Sequence, residues 1–383
     1  MVPKDRNGSG ALRFQRPVLP SLAEVEAYFD LSQAAQWFSN GGPCWHLLRS
    51  RLSERIGAYC IPVASATVGL MASAAVLTAT AARADSVLLP TFTFPATAQA
   101  AIWAGLRPRL LDIDTRSWHL DPDVLEHELN AARLQSALAI AVSAFGTPPP
   151  VEVRERWRRA CKVARVPLLI DSAAGFGAMA EDGLPIGAQG DVEVVSFHAT
   201  KPFAIGEGGA VFTTDRTTCQ RIEAAINFGL PGGATHGLNG KMSELHAAMA
   251  LAVLDRFEDI LAARRDAAAR IREQAAATIS FQAECERSTW QFVPMAFEKP
   301  EHSDAAVRRC ARKLEVRRYY EPLNHLPAFA HLEVGDGRCP RSDDLWRRVL
   351  CLPMANDLSA EEIELIAGIV AAVPRRPRAG SRS

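Results

Sequence analysis

The stretch LLIDSAAG at residues 168–175 joins an apolar run to an acid and then to small residues. The run Val166 to Ile170 is apolar throughout, which is typical of a strand that a parallel sheet buries on both faces. Six more β-rich runs alternate with helical patterns, at residues 59–63, 86–89, 109–113, 138–143, 192–197 and 210–213. This alternation predicts an α/β fold, in which a large domain holds a mainly parallel sheet of a seven-stranded type between helices.

The pattern changes after the glycine-rich segment 229–240. From Ser243, a candidate N-cap, to Gln274 the apolar spacing predicts one long amphipathic helix. Beyond residue 278 strand-like and helical runs alternate around proline-containing turns, which predicts a smaller α+β domain. We therefore expect residues 1–242 to form an N-terminal segment and the large domain. Residues 243–383 are expected to form the long linking helix, the small C-terminal domain and a disordered basic tail.

Composition excludes several classes of protein. The 383 residues include 43 Lys and Arg against 43 Asp and Glu, whereas a dedicated nucleic-acid binder usually has a basic excess. We see no apolar stretch of membrane-spanning length and no signal-peptide pattern. The eight cysteines form no CxxC pair, and the nine histidines form no HxxxH or HExxH motif. We therefore expect reduced, mostly buried thiols in a cytoplasmic protein with no metal site.

Two loops at the ends of expected strands could bind a phosphate and a planar ring. Ser65, Ala66 and Thr67 lie where a strand gives way to a helix; small residues, hydroxyl groups and the helix dipole all favour a phosphate there. Capping of the helix is the alternative reading of the same residues. The stretch LPTFTFPAT at residues 89–97 places two aromatics on a loop, where one could stack on a heterocycle or simply belong to the core.

An acid and a lysine follow two further strands. Asp171 needs a cationic or N–H partner if it is buried, although capping of the next helix is an alternative. Lys201 ends the stretch VSFHATK at residues 195–201, and GEGG follows at residues 206–209. A lysine in a desolvated pocket has a lowered pKa and can form a Schiff base with a carbonyl, whereas a surface lysine would not. A phosphate cradle, a stacking aromatic, a carboxylate and such a lysine together predict a site for pyridoxal 5'-phosphate.

From about Arg16 to Val373 the chain resembles the DegT family of nucleotide-sugar aminotransferases, which are pyridoxal-phosphate enzymes of the aspartate-aminotransferase fold (fold type I). The resemblance rests on motifs at residues 39–43, 91–97, 111–114, 120–122, 187–191, 196–209, 239–244, 316–320 and 352–353. It implies a transaminase that moves an amino group, with glutamate as the usual donor, to a nucleoside-diphosphate-linked keto-deoxysugar. Such a reaction would serve surface polysaccharide or natural-product biosynthesis.

The resemblance also implies roles for individual residues. Lys201 resembles the lysine that is bonded to the cofactor, Asp171 the partner of its ring nitrogen, and Phe94 the aromatic that stacks on its ring. Asn239 resembles the asparagine that reaches the phosphate from the neighbouring subunit, which implies a homodimer with shared active sites. The whole set expected to bind the cofactor is Ser65, Ala66, Thr67, Phe94, Asp171, Ala174, Ser196, His198, Lys201 and Asn239.

Some positions depart from the common family pattern. Ala174 and Phe176 stand where a glutamine and a histidine are usual, and both changes are expected at the cofactor face. Gly240 and Lys241 stand where a Tyr-Arg pair is usual. These departures leave open a keto-cyclitol or another carbonyl metabolite as substrate, and a non-catalytic regulatory homologue as a further reading. Lys201 argues against the deoxygenating branch of the family, which has histidine at that position.

Overall fold

The computed structural model describes residues 11–79, 84–131, 136–231 and 237–371. Its strands are β1 (Tyr59–Val63), β2 (Ser86–Pro90), β3 (Arg107–Leu111), β4 (Ser136–Val142), β5 (Leu168–Asp171), β6 (Val192–Ser196), β7 (Gly209–Thr213), β8 (Ile279–Ser280), β9 (Val293–Phe297), β10 (Glu333–Val334) and β11 (Val349–Leu352). Its α-helices are α1 (Leu22–Ala35), α2 (Pro43–Ile56), α3 (Ala66–Thr78), α4 (Pro95–Trp103), α5 (Pro122–Asn130), α6 (Val151–Ala164), α7 (Arg216–Ala225), α8 (Glu244–Leu254), α9 (Phe257–Glu273), α10 (Pro300–Cys310), α11 (Pro340–Arg348) and α12 (Ala360–Ala371). Short 3-10 helices lie at Ala144–Gly146, Cys285–Arg287, Leu323–His325 and Gly335–Gly337.

The large sheet confirms the predicted α/β architecture. Its strand order is β1-β7-β6-β5-β4-β2-β3-β10. Strands β2 to β6 pair in parallel, whereas β7 runs antiparallel to both β1 and β6. The seven strands expected from the sequence are all present, and the two-residue strand β10 adds an eighth beside β3. Strands β4, β5 and β6 are buried almost throughout, which is why their sequences are continuously apolar.

Local sequence signals set the helix starts next to this sheet. Ser65 accepts a hydrogen bond from the backbone of Val68 and caps α3, and Asp121 caps α5 in the same way. Proline occupies the first turn of α4, where its missing N–H costs no helical hydrogen bond. Helices α3 and α4 therefore begin within five residues of the ends of β1 and β2.

The segment expected to form one long helix from Ser243 is instead two helices, α8 and α9. They meet at Asp255 and Arg256, and Arg256 has non-helical dihedral angles (φ −117°, ψ 12°). The carboxylate of Asp255 is bound by Tyr28 (2.6 Å) and Arg51 (2.8 Å). The break lets α8 pack on α1 and α2 while α9 packs on α12, which a single straight helix would not allow.

The smaller sheet has the order β11-β9-β8 and forms its own core with α9 and α12. Each half of the chain contributes a residue or strand to the other. Leu12 pairs with Leu314 of the C-terminal half, and β10 of that half joins the large sheet. The domain boundary at residue 242 stays a prediction. The basic tail from residue 374 lies outside the described residues.

All eight cysteines fall within the described residues, and each is a free, buried thiol, which confirms that expectation. None of the helices described combines the length and apolarity needed to cross a bilayer. Nor do the described residues contain a group of three or more acidic, histidine or cysteine side chains placed to hold a metal ion.

Candidate active site

A cavity of about 460 Å³ opens at the carboxyl ends of the parallel strands. It lies where doubly wound sheets bind their ligands. Nine of the ten residues expected to bind the cofactor line it: Ser65, Ala66, Thr67, Phe94, Asp171, Ala174, Ser196, His198 and Lys201. Residues from four separate segments of the chain thus meet in one place.

Asp171 is the last residue of β5 and is buried. Its carboxylate accepts hydrogen bonds from Thr97 Oγ1 (2.7 Å) and from the backbone N–H of Ala173 (3.1 Å). Thr97 in turn is 2.8 Å from Thr93, on the same loop. Burial raises the pKa of Asp171, while these hydrogen bonds and the charge of Lys201 oppose that rise.

Lys201 follows β6 in a turn that its own N–H closes on the carbonyl of His198 (2.9 Å). Its Nζ donates to Oε1 of Gln291 at 3.2 Å. Burial lowers the pKa of Lys201 to about 8, and the nearby Asp171 opposes that shift. A lysine with such a pKa is partly neutral near physiological pH, so its amine can act as a nucleophile or take up a proton.

The N-terminus of α3 forms one end of the cavity. The first turn of a helix leaves its N–H groups without helical partners and favours an anion. Gly209 permits the close packing there, because a Cβ on it would lie 2.8 Å from the nitrogen of Ala66 and 2.7 Å from the carbonyl of Val195. The hydroxyl of Ser65 caps the helix and also lines the cavity, so the two readings of that residue are compatible.

These features fit pyridoxal 5'-phosphate. The α3 N-terminus with Ser65, Thr67 and Ser196 offers donors for a phosphate, while Asp171 and Lys201 line the same cavity. The cofactor needs donors for its phosphate, a carboxylate for its ring nitrogen and a lysine for its aldehyde, and this cavity has all three.

The two aromatics of the 89–97 loop have different surroundings. Phe94 is the N-cap of α4, lines the cavity and is 56% exposed. Phe92 belongs to the core, where its ring contacts Phe145 and Tyr320. The ring-stacking and core readings of this loop thus apply to different residues, and Phe94 is the one available to a ligand.

His198 lies at the rim of the cavity. Its Nδ1 is 2.9 Å from Thr200 Oγ1, and its Nε2 is 3.6 Å from a carboxylate oxygen of Glu207. The backbone N–H of His198 donates to Ser196 Oγ (3.2 Å), which fixes that hydroxyl next to the cavity.

The expectation that Ala174 and Phe176 both lie at the cofactor face is wrong for Phe176. Ala174 lines the cavity, as expected, but Phe176 is buried in the core against Phe197, Phe203 and Phe257. The aromatic cluster needs an apolar ring at this position, which explains phenylalanine there. Only the change at Ala174 therefore faces the cavity.

Asn239 does not line this cavity. It is exposed and pairs with Asn227 through the backbone. A second cavity nearby is lined by Asn227 and Lys241, and the Nζ of Lys241 lies 4.4 Å from the ring centre of Phe228. The expectation that Asn239 reaches a neighbouring subunit stays a prediction.

Three of the lining residues that sequence reasoning did not assign to the site are Ser143, Gln291 and Tyr320. Ser143 follows β4, Gln291 precedes β9, and Tyr320 stacks on Phe145 at 4.9 Å between ring centres. Position at the end of a predicted strand was a usable signal for Ser143, and the 316–320 motif for Tyr320. Gln291 has no such signal, because only folding brings it to Lys201.

Comparisons with known proteins agree with this geometry. The model of the DegT/DnrJ/EryC1/StrS aminotransferase family matches residues 22–371. The chain is 32% identical over 373 residues to a protein of Mycobacterium tuberculosis, covering 94% of this chain and 89% of the relative. It is 27% identical over 371 residues to the dTDP-4-amino-4,6-dideoxy-D-glucose transaminase of Shigella dysenteriae, covering 93% and 97%. It also resembles the crystal structure of DesI in the presence of its TDP-sugar product, with a TM-score of 0.84 and 30% identity over 94% of this chain and 92% of that one.

Proposed function

The chain belongs to the DegT/DnrJ/EryC1/StrS aminotransferase family, and we propose that it aminates a nucleoside-diphosphate-linked keto-deoxysugar with pyridoxal 5'-phosphate as cofactor and glutamate as donor. The single observation behind this proposal is the cavity that unites Lys201, Asp171 and the α3 N-terminus. The nucleotide-sugar substrate is supported by the Shigella relative and by DesI, whose names specify such sugars.

The residues of the chain have separate tasks in this reaction. Donors at the α3 N-terminus would hold the phosphate of the cofactor, and Asp171 would hold a proton on its ring nitrogen. When bound, the cofactor withdraws electrons from the substrate carbon that loses a proton. The Nζ of Lys201 takes that proton from the donor carbon and later delivers one to the former carbonyl carbon of the acceptor.

A substrate panel tests the proposal. The purified protein, loaded with pyridoxal 5'-phosphate and given glutamate, is assayed with nucleotide-linked keto-sugars and with keto-cyclitols, and the aminated products are identified by mass spectrometry. We expect turnover with at least one nucleotide-linked keto-sugar. Turnover confined to keto-cyclitols would overturn the sugar assignment; Ala174, which offers no side-chain amide to the cavity, is the observation that keeps this second candidate in the panel.

A protein that binds pyridoxal 5'-phosphate but aminates no acceptor would point to the regulatory reading. Lys201 and Asp171 stand against it, because a non-catalytic protein has no need of a buried lysine whose pKa is lowered to about 8. We place the reaction in the cytoplasm, in the supply of amino sugars for surface polysaccharide or natural products. Eight free, buried thiols suit a reducing compartment.

We further propose that the protein acts as a homodimer. Four large apolar side chains are exposed on the segments on either side of the second cavity: Trp37, Phe38, Phe228 and Leu230. Such exposure is typical of a surface that a partner covers, and Asn239 lies beside Phe228.

Light scattering on the purified protein should give twice the mass of the chain. Mixing a Lys201→Ala protein with an Asn239→Ala protein should restore part of the activity if active sites are shared.

A further inference from the structure

Gln291 is a buried glutamine that contacts the amine of Lys201. Its side-chain oxygen accepts from Lys201 Nζ at 3.2 Å, and its Nε2 faces the carbonyl of Thr200 at 3.4 Å. The two residues are 90 positions apart in the chain. Since the amide nitrogen is directed at a carbonyl, the amide oxygen is left to face the amine.

The backbone around Gln291 is fixed by Arg264 of α9. This guanidinium is buried and donates to the carbonyls of Thr289 (3.2 Å), Trp290 (2.6 Å) and Gln291 (3.1 Å). Among the described residues, no carboxylate pairs with it. Burying an arginine without an acid is costly, and burial lowers the pKa of Arg264 to about 9. The guanidinium of Arg264 therefore fixes the backbone of residues 289–291.

Arg264 also reaches the other side of Lys201. It donates to Oδ1 of Asn356 at 2.6 Å, and Nδ2 of Asn356 donates to the carbonyl of Pro202 at 3.1 Å. Pro202 directly follows Lys201 in the chain. The buried guanidinium of Arg264 thus connects the segment before β9, which contains Gln291, to the turn that contains Lys201.

We propose that Gln291 is a positioning residue for Lys201, and that Arg264 holds it in place. The amide oxygen accepts a hydrogen bond from the Lys201 amine, which stabilises the charged form of the amine and fixes its orientation. The inference rests on the proposed function only in that Lys201 is the reacting lysine. It adds a residue that neither the motifs nor the expected site contained.

The experiment measures the pKa of Lys201 in the cofactor-free protein by competitive acetylation over a pH series, with the Lys201 peptide quantified by mass spectrometry. Gln291→Leu should lower the pKa of Lys201 by about one unit, because the charged amine loses a hydrogen bond. Gln291→Glu should raise it, because a carboxylate favours the charged amine. The other titratable residues that line this cavity are unchanged in both variants; these are Asp171, His198, Glu207, Tyr319 and Tyr320.

Gln282→Leu is the matched control. Gln282 is equally buried and donates from its own side chain to the carbonyl of Ser117 (2.7 Å), but it does not line the cavity. We expect this variant to keep the pKa of Lys201 unchanged. Equal pKa values in the wild type and both Gln291 variants would overturn the proposal, and so would shifts in the same direction for Leu and Glu.

The measurement is independent of the sugar substrate. If no keto-sugar were aminated, the acetylation result would still decide the role of Gln291, so the two proposals fail separately. In the loaded enzyme, Gln291→Leu should lower kcat for the glutamate half-reaction by about tenfold, with little change in the KM for glutamate. A change confined to KM would contradict a role in positioning the amine.

Discussion

The carboxylates of Glu244 and Asp171 are both buried, yet their surroundings differ. Glu244 opens α8 and accepts hydrogen bonds from the backbone of Gly42 (3.0 Å), Cys44 (2.7 Å) and Trp45 (3.1 Å) and from Ser32 Oγ (2.8 Å). It thereby caps the N-terminus of α2. A Cβ on Gly42 would lie 2.7 Å from the carboxyl carbon of Glu244, so glycine is required for this approach.

Asp171 has fewer partners within the chain. Its carboxylate accepts from Thr97 and Ala173, and its residue lines an open cavity. A carboxylate with four donors around it has a structural task, because its hydrogen-bonding capacity is met inside the chain. A buried carboxylate that lines a cavity together with a lysine is available to a ligand. The comparison thus separates an acid that holds the fold from an acid that serves the reaction.

The largest effect is expected at the cavity. Lys201→Ala removes the amine that moves the proton, so turnover should fall by roughly 10⁴-fold or more. The visible absorption band of the protein loaded with pyridoxal 5'-phosphate should disappear, while circular dichroism stays unchanged. A variant that keeps both the band and repeated turnover would contradict the assignment.

Glu244→Ala should affect stability and not chemistry. It leaves three backbone N–H groups and the hydroxyl of Ser32 without their acceptor, which should cost about 3–5 kcal/mol of the free energy of unfolding. Urea denaturation measures this loss. Glu244→Gln keeps one acceptor oxygen and is the milder control. A large drop in kcat of the folded Glu244→Gln protein would break the contrast between the two acids.

Asp171→Asn should lower turnover and leave stability unchanged or higher. The amide oxygen of asparagine can still accept from Thr97 or Ala173, so the protein should melt at the same temperature or higher, since burial disfavours the ionised acid. Turnover should fall by about 10²-fold, because a neutral amide cannot hold the ring-nitrogen proton. Calorimetry and steady-state kinetics on the same preparation give both numbers. A fall in stability that matches the fall in turnover would make Asp171 a structural acid.

The smallest effect concerns a third buried acid, Glu193 on β6. It accepts from the backbone of Gly187 (2.6 Å) and Gln189 (2.9 Å) and from Ser172. Burial raises the pKa of Glu193 to about 7 from an unfolded value of 4.5, so the folded protein binds more protons than the unfolded chain between these values. Its contribution to the free energy of unfolding therefore falls by about 3 kcal/mol as the pH rises through that window.

Glu193→Gln removes this titration. The stability of the variant relative to the wild type should increase as the pH rises from 4.5 to 7, as urea denaturation at several pH values will show. A pH-independent difference between the two proteins would mean that Glu193 stays ionised in the fold.

The sequence was informative wherever a local pattern determines the structure. The apolar runs predicted the strands, and the residues directly after them, such as Asp171 and Lys201, reach the cavity because parallel strands end at the same edge. Sequence patterns were misleading where contacts between distant parts of the chain determine the structure. Asp255, where the helix breaks, has a partner 227 positions away in Tyr28, and Phe176 was assigned to the cofactor face although its ring completes a core cluster. Gln291 could not be found at all, since its partner is distant in the chain.

The N-terminal segment has a consequence for how the protein is made. Leu12 exchanges backbone hydrogen bonds with Lys313 (2.9 Å) and Glu315 (2.8 Å), and Arg16 is bonded to Glu362, 346 positions later. The first seven strands of the large sheet end at Thr213, so they can pair before the ribosome has translated residues 313–315 and 362. Leu12 and Arg16 meet their partners only after those later residues have been made. Gln15 lies between Leu12 and Arg16 and lines the cavity, so the cavity of a nascent chain lacks part of its lining until residue 362 has been translated.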